Sequence, residues 1–386
     1  MAISATLFIG QKGNTTALKQ PKELACYGRN QAGETLHGAD AHPRYYYLPN
    51  QDLDRAMDLT SGLRKFKDCS AAVGDRNSLD RQLDALTHLE QRKEKRMKAD
   101  IVASTNTIAS LVLSAFDNDK INPIDMYVVA YDGQLFIRKR ENTAAAVSAT
   151  KEDGNPKQIS VHKYISYKFK SLATLAQPVQ FEERATIEKR SKRLCNNGDA
   201  FTSLTRAGVG KTKLILASDI DCIFDFREES HDNLRHYAQL VCNPTVGATG
   251  EAHRFETGIF RVWLSCFLAG IPRIICGFAD DTNTLKTVEE YATADVPVLL
   301  KEHSPEVGAR CIAAIKWYGL LTEWLLKIVP PSTDAQSVKP FKLTLSDNHL
   351  KLQEVEVDDA EYDSIVNGEA VLSKEFREWR QSLPAK

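Results

Sequence analysis

Two carboxylates placed two residues apart are the clearest candidates for chemistry in this sequence. Asp219 and Asp221 lie in the apolar stretch LILASDIDCIFDF, residues 214–226, which predicts a buried strand. Residues i and i+2 of a strand point to the same face, so both side chains would project together. Paired carboxylates begin many divalent-metal sites, although a two-metal hydrolytic centre needs three or more from different strands. The pair alone leaves open a metal site or two polar positions at a sheet end.

Other motifs in the chain do not support a competing chemistry. GVGKT, residues 208–212, lacks the first glycine of a P-loop, which would fall at Thr205, and a strand follows it instead of a helix. The motif therefore predicts a hairpin turn. The nine histidines show no HxxxH or HxH spacing, so we expect no zinc site. The chain contains no GxSxG nucleophile motif.

Composition indicates an ordinary globular protein. The 386 residues are 42% hydrophobic and 26% charged. The net charge is -1, so the chain has no overall positive charge that would indicate nucleic-acid binding. Eight scattered cysteines without a CxxC motif predict buried free thiols in a reducing compartment. The start is unlike a signal peptide, and no apolar run reaches the roughly 18 residues of a membrane span. We therefore expect a soluble, intracellular protein.

The elements around the aspartates mix helices and strands without strict alternation. This pattern predicts an α+β fold with mixed, twisted β-sheets flanked by helices. Hairpins are expected at Asp132-Gly133 and at Asp347-Asn348, and YKFKSLATL is expected to be a strand or the end of a strand. Residues 1–386 are expected to form a single domain, with 1–60 as a loop-rich segment that wraps the core. Helices are predicted at residues 77–115, FEERATIEKRSKRL, RFETGIFRVWLSCFLAG ending at Gly270, GARCIAAIKWYGLLTEWLLKIV and SKEFREWRQSL.

Long blocks of the sequence resemble the DXO/Rai family of RNA 5′-end decapping nucleases, in particular its fungal nuclear branch. The resemblance runs nearly end to end. It implies a decapping-nuclease fold, divalent metals such as Mg²⁺ or Mn²⁺ in the family's sites, and a nuclear location. The blocks that carry it are TTALKQPKELACY, YYYLP, MDLTSGLRKFKD, YKFKSLATL, GVGKTKLILASDIDCIFDF, DNLRHYAQLVC, FRVWLSCFLAGIPRIICGF, LKTVEEYATADVPVLL and AIKWYGLLTEWLLK.

The family's catalytic pattern consists of a helical arginine and GΦxΦE, EΦD and EΦK stretches, where Φ is a bulky apolar residue. This chain departs from each part of the pattern. Of the metal-binding carboxylates only Asp219 and Asp221 remain, the first shortened from glutamate. The other degenerate positions are Thr105 for the arginine, Ser166 and Lys170 for the glycine and glutamate of GΦxΦE, and Gln239 and Val241 for the ends of EΦK.

These departures predict a degenerate site. Hard divalent cations depend on anionic oxygens, and Lys170 would place a cation where the family has a ligand. We therefore expect no bound metal cofactor and no enzymatic activity, with Asp219 and Asp221 as the residual metal candidates. We also predict that Lys170 pairs with one of these aspartates, because a buried carboxylate pair needs compensation. The alternative is that Lys170 points to solvent.

Resemblance to the fungal nuclear branch implies that the chain acts by binding another protein. The chain would bind, stabilise and stimulate the nuclear XRN-type 5′–3′ exoribonuclease in RNA degradation, mRNA quality control and ribosomal RNA processing. The residues that contact the partner are unknown, and 225–262 is the segment we favour. Two alternatives stay open: weak metal-dependent 5′-end pyrophosphohydrolase or decapping activity through Asp219 and Asp221, and 5′-end binding without cleavage, in which Lys168 and Lys170 would help to hold the RNA.

Overall fold

The computed structural model describes residues 2–14, 17–116, 124–140, 159–228, 232–245, 249–329 and 335–383. Its strands are β1 Ser4–Phe8, β2 Leu18–Arg29, β3 Thr35–His37, β4 Tyr45–Tyr46, β5 Met57–Asp58, β6 Ile101–Ser104, β7 Asp125–Tyr131, β8 Gln134–Lys139, β9 Thr174–Leu175, β10 Ala200–Val209, β11 Thr212–Ile220, β12 Cys222–Ile223, β13 Tyr237–Pro244, β14 Arg273–Ala279, β15 Thr284–Ala292, β16 Lys339–Ser346 and β17 His349–Glu354.

The helices alternate irregularly with these strands. They are α1 Asn50–Leu53, α2 Ser70–Val73, α3 Asp80–Lys93, α4 Thr105–Leu113, α5 Val161–Leu172, α6 Arg184–Lys189, α7 Thr249–Ala269, α8 Val296–His303, α9 Pro305–Ile328, α10 Tyr362–Val366 and α11 Lys374–Ser382. Among the described residues, no helix has the length and apolarity needed to cross a membrane.

The strands form two mixed sheets, as predicted for an α+β fold. The large sheet has ten strands in the order β1-β17-β16-β7-β8-β6-β11-β10-β2-β3, and the small sheet has seven in the order β5-β15-β14-β13-β12-β4-β9. Parallel pairs (β6 with β11 and with β8, β13 with β14) lie beside antiparallel hairpins. The chain passes between the sheets directly after β11, because β12 pairs with β13 and β4 of the small sheet.

Helices cover both faces of the large sheet, and this explains the uninterrupted apolar stretch Leu214–Ala217 within β11. Leu214 and Leu216 face one hydrophobic cluster, which contains Trp263 of α7 and Trp317 of α9. Ile215 lies on the opposite face, in a second cluster with residues of α3 and α11. A strand buried on both faces loses the apolar–polar alternation of a half-exposed strand.

Most predicted turns are confirmed. Asp132 and Gly133 connect β7 to β8 with φ angles of 47° and 79°, and Asp347 and Asn348 connect β16 to β17 with 53° and 61°. Gly210 has a φ of 56° in the two-residue turn between β10 and β11, so GVGKT is a hairpin turn and not a P-loop. Left-handed backbone at both central residues matches the twist of paired strands.

Three predicted segments differ from the structure. YKFKSLATL was expected to be a strand or the end of a strand, but it lies mostly in α5, and only Thr174–Leu175 at its end form a strand, β9. Ser160 caps α5, and the buried residues of the helix follow helical spacing. Residues 77–115 are not continuous helix: Glu94 adopts φ 51° after α3, and β6 follows before α4. Residues 1–60 are less loop-rich than expected, because β2 pairs along most of its length with β10. The single-domain assignment stays a prediction.

Candidate functional site

Asp219 and Asp221 line one cavity of about 850 Å³ at the crossing between the two sheets. Asp219 is the penultimate residue of β11, and Asp221 lies in the single-residue gap between β11 and β12. Both aspartates therefore reach the cavity, as predicted, but they do so from a strand that changes sheet between them. The volume falls within the roughly 300–1,000 Å³ of small-ligand sites.

Asp221 is held by three donors. Lys170 Nζ lies 2.5 Å from Asp221 Oδ1, and Gln239 Nε2 lies 2.5 Å from Oδ2. The backbone N–H of Leu240 donates to the same Oδ2 at 2.8 Å. The predicted pairing of Lys170 with one of the aspartates is confirmed. Asp219 makes a separate contact, in which Thr202 Oγ1 donates to it at 2.8 Å.

Helix α5 places Lys170 at the cavity. Its buried apolar residues, including Ile165, Phe169 and Leu172, follow helical spacing and pack against the small sheet. The Phe169 ring crosses β14 at Gly277 so closely that a Cβ on Gly277 would lie 2.5 Å from it. Lys170 follows Phe169 and therefore leaves the core at a position set by this packing.

Lys170 stays charged in this environment. Loss of hydration opposes the ammonium, but the attraction of Asp221 and its hydrogen bond outweigh that cost and raise the pKa of Lys170 above its usual 10.5. Asp219 adds a smaller attraction in the same direction. The pair is a fixed ion pair at neutral pH and not a lysine poised to exchange a proton.

This donor set does not fit a divalent cation while the pair is intact. Such an ion needs several anionic or carbonyl oxygens directed at one point. Here Lys170 lies against Asp221 Oδ1, and two N–H groups use Oδ2. Asp219 is the only other carboxylate of the predicted set. The ammonium supplies the positive charge that the aspartate would otherwise take from a metal.

The remaining predicted positions divide into two groups. Thr105, Gln239 and Val241 line the cavity, and Thr105 Oγ1 lies 2.5 Å from Ser218 Oγ. Ser166 does not line it, because it lies on the outer face of α5 and its hydroxyl donates to His162 O at 3.4 Å.

Lys168 does not help to hold a ligand, contrary to our expectation. Its ammonium is buried and donates to the backbone carbonyls of Ser191 and Arg193 at 2.7 and 3.0 Å. Burial lowers the pKa of Lys168, but the two carbonyls satisfy the group. Its role is to anchor α5 to the segment that carries Arg193.

Sequence reasoning missed a group of basic side chains around the cavity. They come from separate parts of the chain: Arg29, Arg44, Arg76, Arg193 and Arg261. Burial lowers the pKa of Arg44 to about 10, yet this leaves it charged at neutral pH, and its Nε donates to Thr174 Oγ1 at 2.8 Å. No motif spacing joins these arginines, since only the fold assembles them.

The aromatic ring of Phe201 lines the cavity, and so does that of Tyr167. The Tyr167 ring stacks on Phe66, with ring centroids 5.8 Å apart and an interplanar angle of 22°. The site thus combines cations that suit phosphate, an aromatic surface that suits a base, and two carboxylates.

Comparison with known proteins identifies the family. The model of the "RAI1 like PD-(D/E)XK nuclease" family matches residues 19–377. The chain is 48% identical to the decapping nuclease RAI1 of Saccharomyces cerevisiae and 46% identical to that of Kluyveromyces lactis, over 99% of this chain and 100% of each relative.

Solved structures agree with this relationship. Candida albicans Rai1 in complex with pU5-Mn²⁺ matches with a TM-score of 0.86 and 30% identity over 100% of both chains. Scheffersomyces stipitis Rai1 in complex with (3′-NADP)⁺ and calcium matches with a TM-score of 0.87 and 31% identity, over 98% of this chain and 100% of that one.

Our prediction that the chain is not an enzyme is wrong in light of these relatives, which carry the name of an enzyme. The degenerate motif led to it, because the prediction equated loss of particular ligands with loss of the family's activity. The fold-class prediction and the family resemblance are confirmed. The chain belongs to the RAI1 family of decapping nucleases.

Proposed function

We propose that this chain acts at the 5′ ends of RNA, by receiving a phosphorylated 5′ end in the cavity beside Asp221. We further propose that it binds, stabilises and stimulates a nuclear 5′–3′ exoribonuclease in RNA processing and degradation. The observation that supports binding of a phosphorylated 5′ end is the arginine-lined cavity with its aromatic rings. A 30% identical Rai1 was solved with pU5, a 5′-phosphorylated oligonucleotide, which supports the same ligand class here.

Charge in the cavity favours an anionic ligand. Five arginines and Lys170 line it, against three aspartates that also line it, Asp199, Asp219 and Asp221. Lys170 neutralises Asp221, so the cations are in excess. The chain as a whole has a net charge of -1, so the positive charge that favours a phosphate here is local to the cavity.

A binding titration tests this part. Fluorescent pU5 labelled at its 3′ end is titrated with protein at several salt concentrations, without added metal. Arg193→Ala should weaken binding about three- to tenfold and lower the slope of log K against log salt by about 0.7, since one phosphate contact is lost. Arg184→Ala is the matched control, because Arg184 is exposed, pairs with Glu188 and does not line the cavity. Equal affinities of the two variants would refute the assignment.

The names of the relatives favour a second candidate, hydrolysis at the RNA 5′ end. Purified protein is incubated with 5′-triphosphate RNA and with unmethylated capped RNA, in Mg²⁺ and in Mn²⁺, beside an active relative. Release of pyrophosphate or cap that Asp221→Ala abolishes would establish hydrolysis at this site. Product that persists in Asp221→Ala would assign the chemistry to other residues. Binding of pU5 without product would leave 5′-end binding as the function.

An apolar groove outside the cavity is the surface that we propose for the exoribonuclease. It encloses about 540 Å³ between α7, α8 and the strands β14 and β15, and includes part of the segment 225–262. Phe255, Ile259 and Leu299 line it, with Glu256 and Glu289 among them. Apolar side chains flanked by carboxylates suit a protein segment that carries both apolar and basic residues.

Pull-down with the purified exoribonuclease of the same organism tests this surface. Leu299→Glu should reduce binding at least tenfold, because it places a charge in the apolar groove. Val357→Glu is the control, since Val357 is exposed and does not line the groove. Retained binding by Leu299→Glu would exclude the groove. We also propose a nuclear location for the chain, because the exoribonuclease that it would bind is nuclear; microscopy of the tagged chain tests this.

A further inference from the structure

Two histidines and one aspartate form a compact cluster away from the cavity. His37 ends β3, while Asp84 and His88 lie one turn apart on α3. One ligand atom from each residue lies within 4.8 Å of the others. We propose that His37, Asp84 and His88 bind a divalent transition-metal ion, with Zn²⁺ as the reference ion. This inference does not rest on the proposed function.

Distances within the cluster match those of a metal site. His37 Nε2 lies 2.9 Å from Asp84 Oδ2, and His88 Nε2 lies 3.7 Å from Asp84 Oδ1. Zinc lies about 2.0–2.2 Å from nitrogen and carboxylate ligands, so neighbouring ligands of a tetrahedral ion are about 3.3 Å apart. The two measured separations lie on either side of that value. Small rotations of the side chains would bring all three atoms onto one ion.

The chemistry of the three groups favours a transition metal over Ca²⁺ or Mg²⁺. Imidazole nitrogen suits Zn²⁺, Ni²⁺ and Cu²⁺, whereas calcium and magnesium prefer oxygen ligands. The two imidazole rings lie with their centroids 4.1 Å apart. Both rings therefore bring a nitrogen within reach of a single ion beside Asp84.

Access and local charge also suit an ion. The side chains of His37, Asp84 and His88 are 28%, 46% and 57% exposed, so an ion can enter and keep a water as its fourth ligand. Arg81 lies on the same helix, one turn before Asp84. Its guanidinium donates to the carbonyls of Gly33 and Val73, which directs it away from the carboxylate.

Bound metal would fasten an edge of the large sheet. β3 pairs only with β2, through three residue pairs, and its other side is the sheet edge. The neighbouring residues Leu36 and Arg29 line the cavity. An ion that joins His37 to α3 would therefore hold β3 in place, and with it the wall of the cavity that Leu36 forms on the other face of the same strand.

The sequence expectation of no zinc site is replaced by this proposal. The search for HxxxH and HxH spacing missed the cluster because the i, i+4 partner of His88 is an aspartate. The third ligand lies 47 residues from Asp84 in the chain. Such a site is visible only once β3 and α3 are placed side by side.

The test is a titration of untagged, chelator-treated full-length protein with Zn²⁺ by calorimetry, and with Co²⁺ by its visible absorption. One ion per chain is expected. His37→Ala and His88→Ala should each weaken binding at least tenfold and remove the absorption of tetrahedral Co²⁺. His253→Ala, an exposed histidine of α7, should bind as the wild type does.

Asp84→Asn keeps the shape of the site but removes its charge, and it should also bind more weakly. Thermal unfolding of each metal-free variant verifies that it is folded. No binding by the wild type, or equal binding by the wild type and both histidine variants, would overturn the proposal. Loss in only one histidine variant would refute the three-ligand arrangement.

Discussion

Lys170→Glu should turn the cavity into a divalent-metal site. The substitution removes the ammonium from Asp221 Oδ1, which lies 2.5 Å away, and adds a third carboxylate beside Asp219 and Asp221. Three carboxylates meet the usual requirement of a Mg²⁺ or Mn²⁺ site. Without metal they repel each other, so the variant should be less stable than the wild type in chelator.

The expected stabilisation by metal can be calculated. An ion present at 100 times its Kd stabilises the folded state by about 2.7 kcal/mol. An unfolding entropy of about 2.1 cal/mol/K per residue amounts to about 0.8 kcal/mol/K for the 386 residues of this chain. Saturating Mn²⁺ should therefore raise the Tm of Lys170→Glu by about 3 °C.

Differential scanning fluorimetry with and without Mn²⁺ measures the shift. His88→Ala is included in every protein of the series, so that the histidine cluster does not contribute. Adding Asp219→Asn should abolish the gain, because one of the three carboxylates is lost. A Mn²⁺ shift of the same size with Lys170 intact would refute the reasoning, since it would mean that the ion pair does not block the site.

Three further predictions concern stability. Lys170→Met should lower the free energy of unfolding by about 1–2 kcal/mol, a value discounted because the Lys170 side chain is 36% exposed. Because the pKa of Lys170 is raised, this difference, measured by urea unfolding, should persist at pH 7–9 and disappear as the pH rises above about 10.5. A difference that stays constant with pH would contradict the ion pair. Arg380→Met should cost about 3–5 kcal/mol, because it removes the buried cation paired with Glu90 and leaves Asp132 with Arg96; a smaller loss in urea unfolding than for exposed Arg184→Met would refute this. Gly277→Ala should lower the Tm and shift α5, since the added Cβ would meet the Phe169 ring, and unchanged near-UV circular dichroism and Tm would show that the ring moves freely.

The sequence allowed the paired aspartates and the lysine beside them to be predicted, because local spacing and the resemblance both bear on them. The prediction of a strand in the region of α5 was wrong, because YKFKSLATL alternates apolar and polar residues over a few positions. The wider segment contains Ser160 as a helix cap and apolar residues at helical spacing. A short window therefore favoured the wrong period.

Other parts of the site could not be predicted from local pattern. The residues on both sides of Asp219 and Asp221 are mostly apolar, so no glycine, proline or polar cluster in this stretch indicates that the chain changes sheet at Asp221. That change depends on partners far away in the chain, β6 and β10 on one side and β4 and β13 on the other. The arginines around the cavity are likewise brought together only by long-range packing.

The buried contacts of Arg380 have a consequence for the order of folding. Its guanidinium binds Glu90 through two hydrogen bonds of 2.8 Å and Asp132 through one of 2.8 Å, across separations of 290 and 248 residues. During synthesis Glu90 and Asp132 emerge long before Arg380, and until α11 docks Asp132 can pair with Arg96, whereas Glu90 lacks the arginine that it pairs with in the folded chain. A chain that lacks Arg380 keeps Glu90 without the cation that it pairs with in the fold. Docking of α11 is therefore the step that completes the buried charge pairing, and we expect chains without it to be less stable.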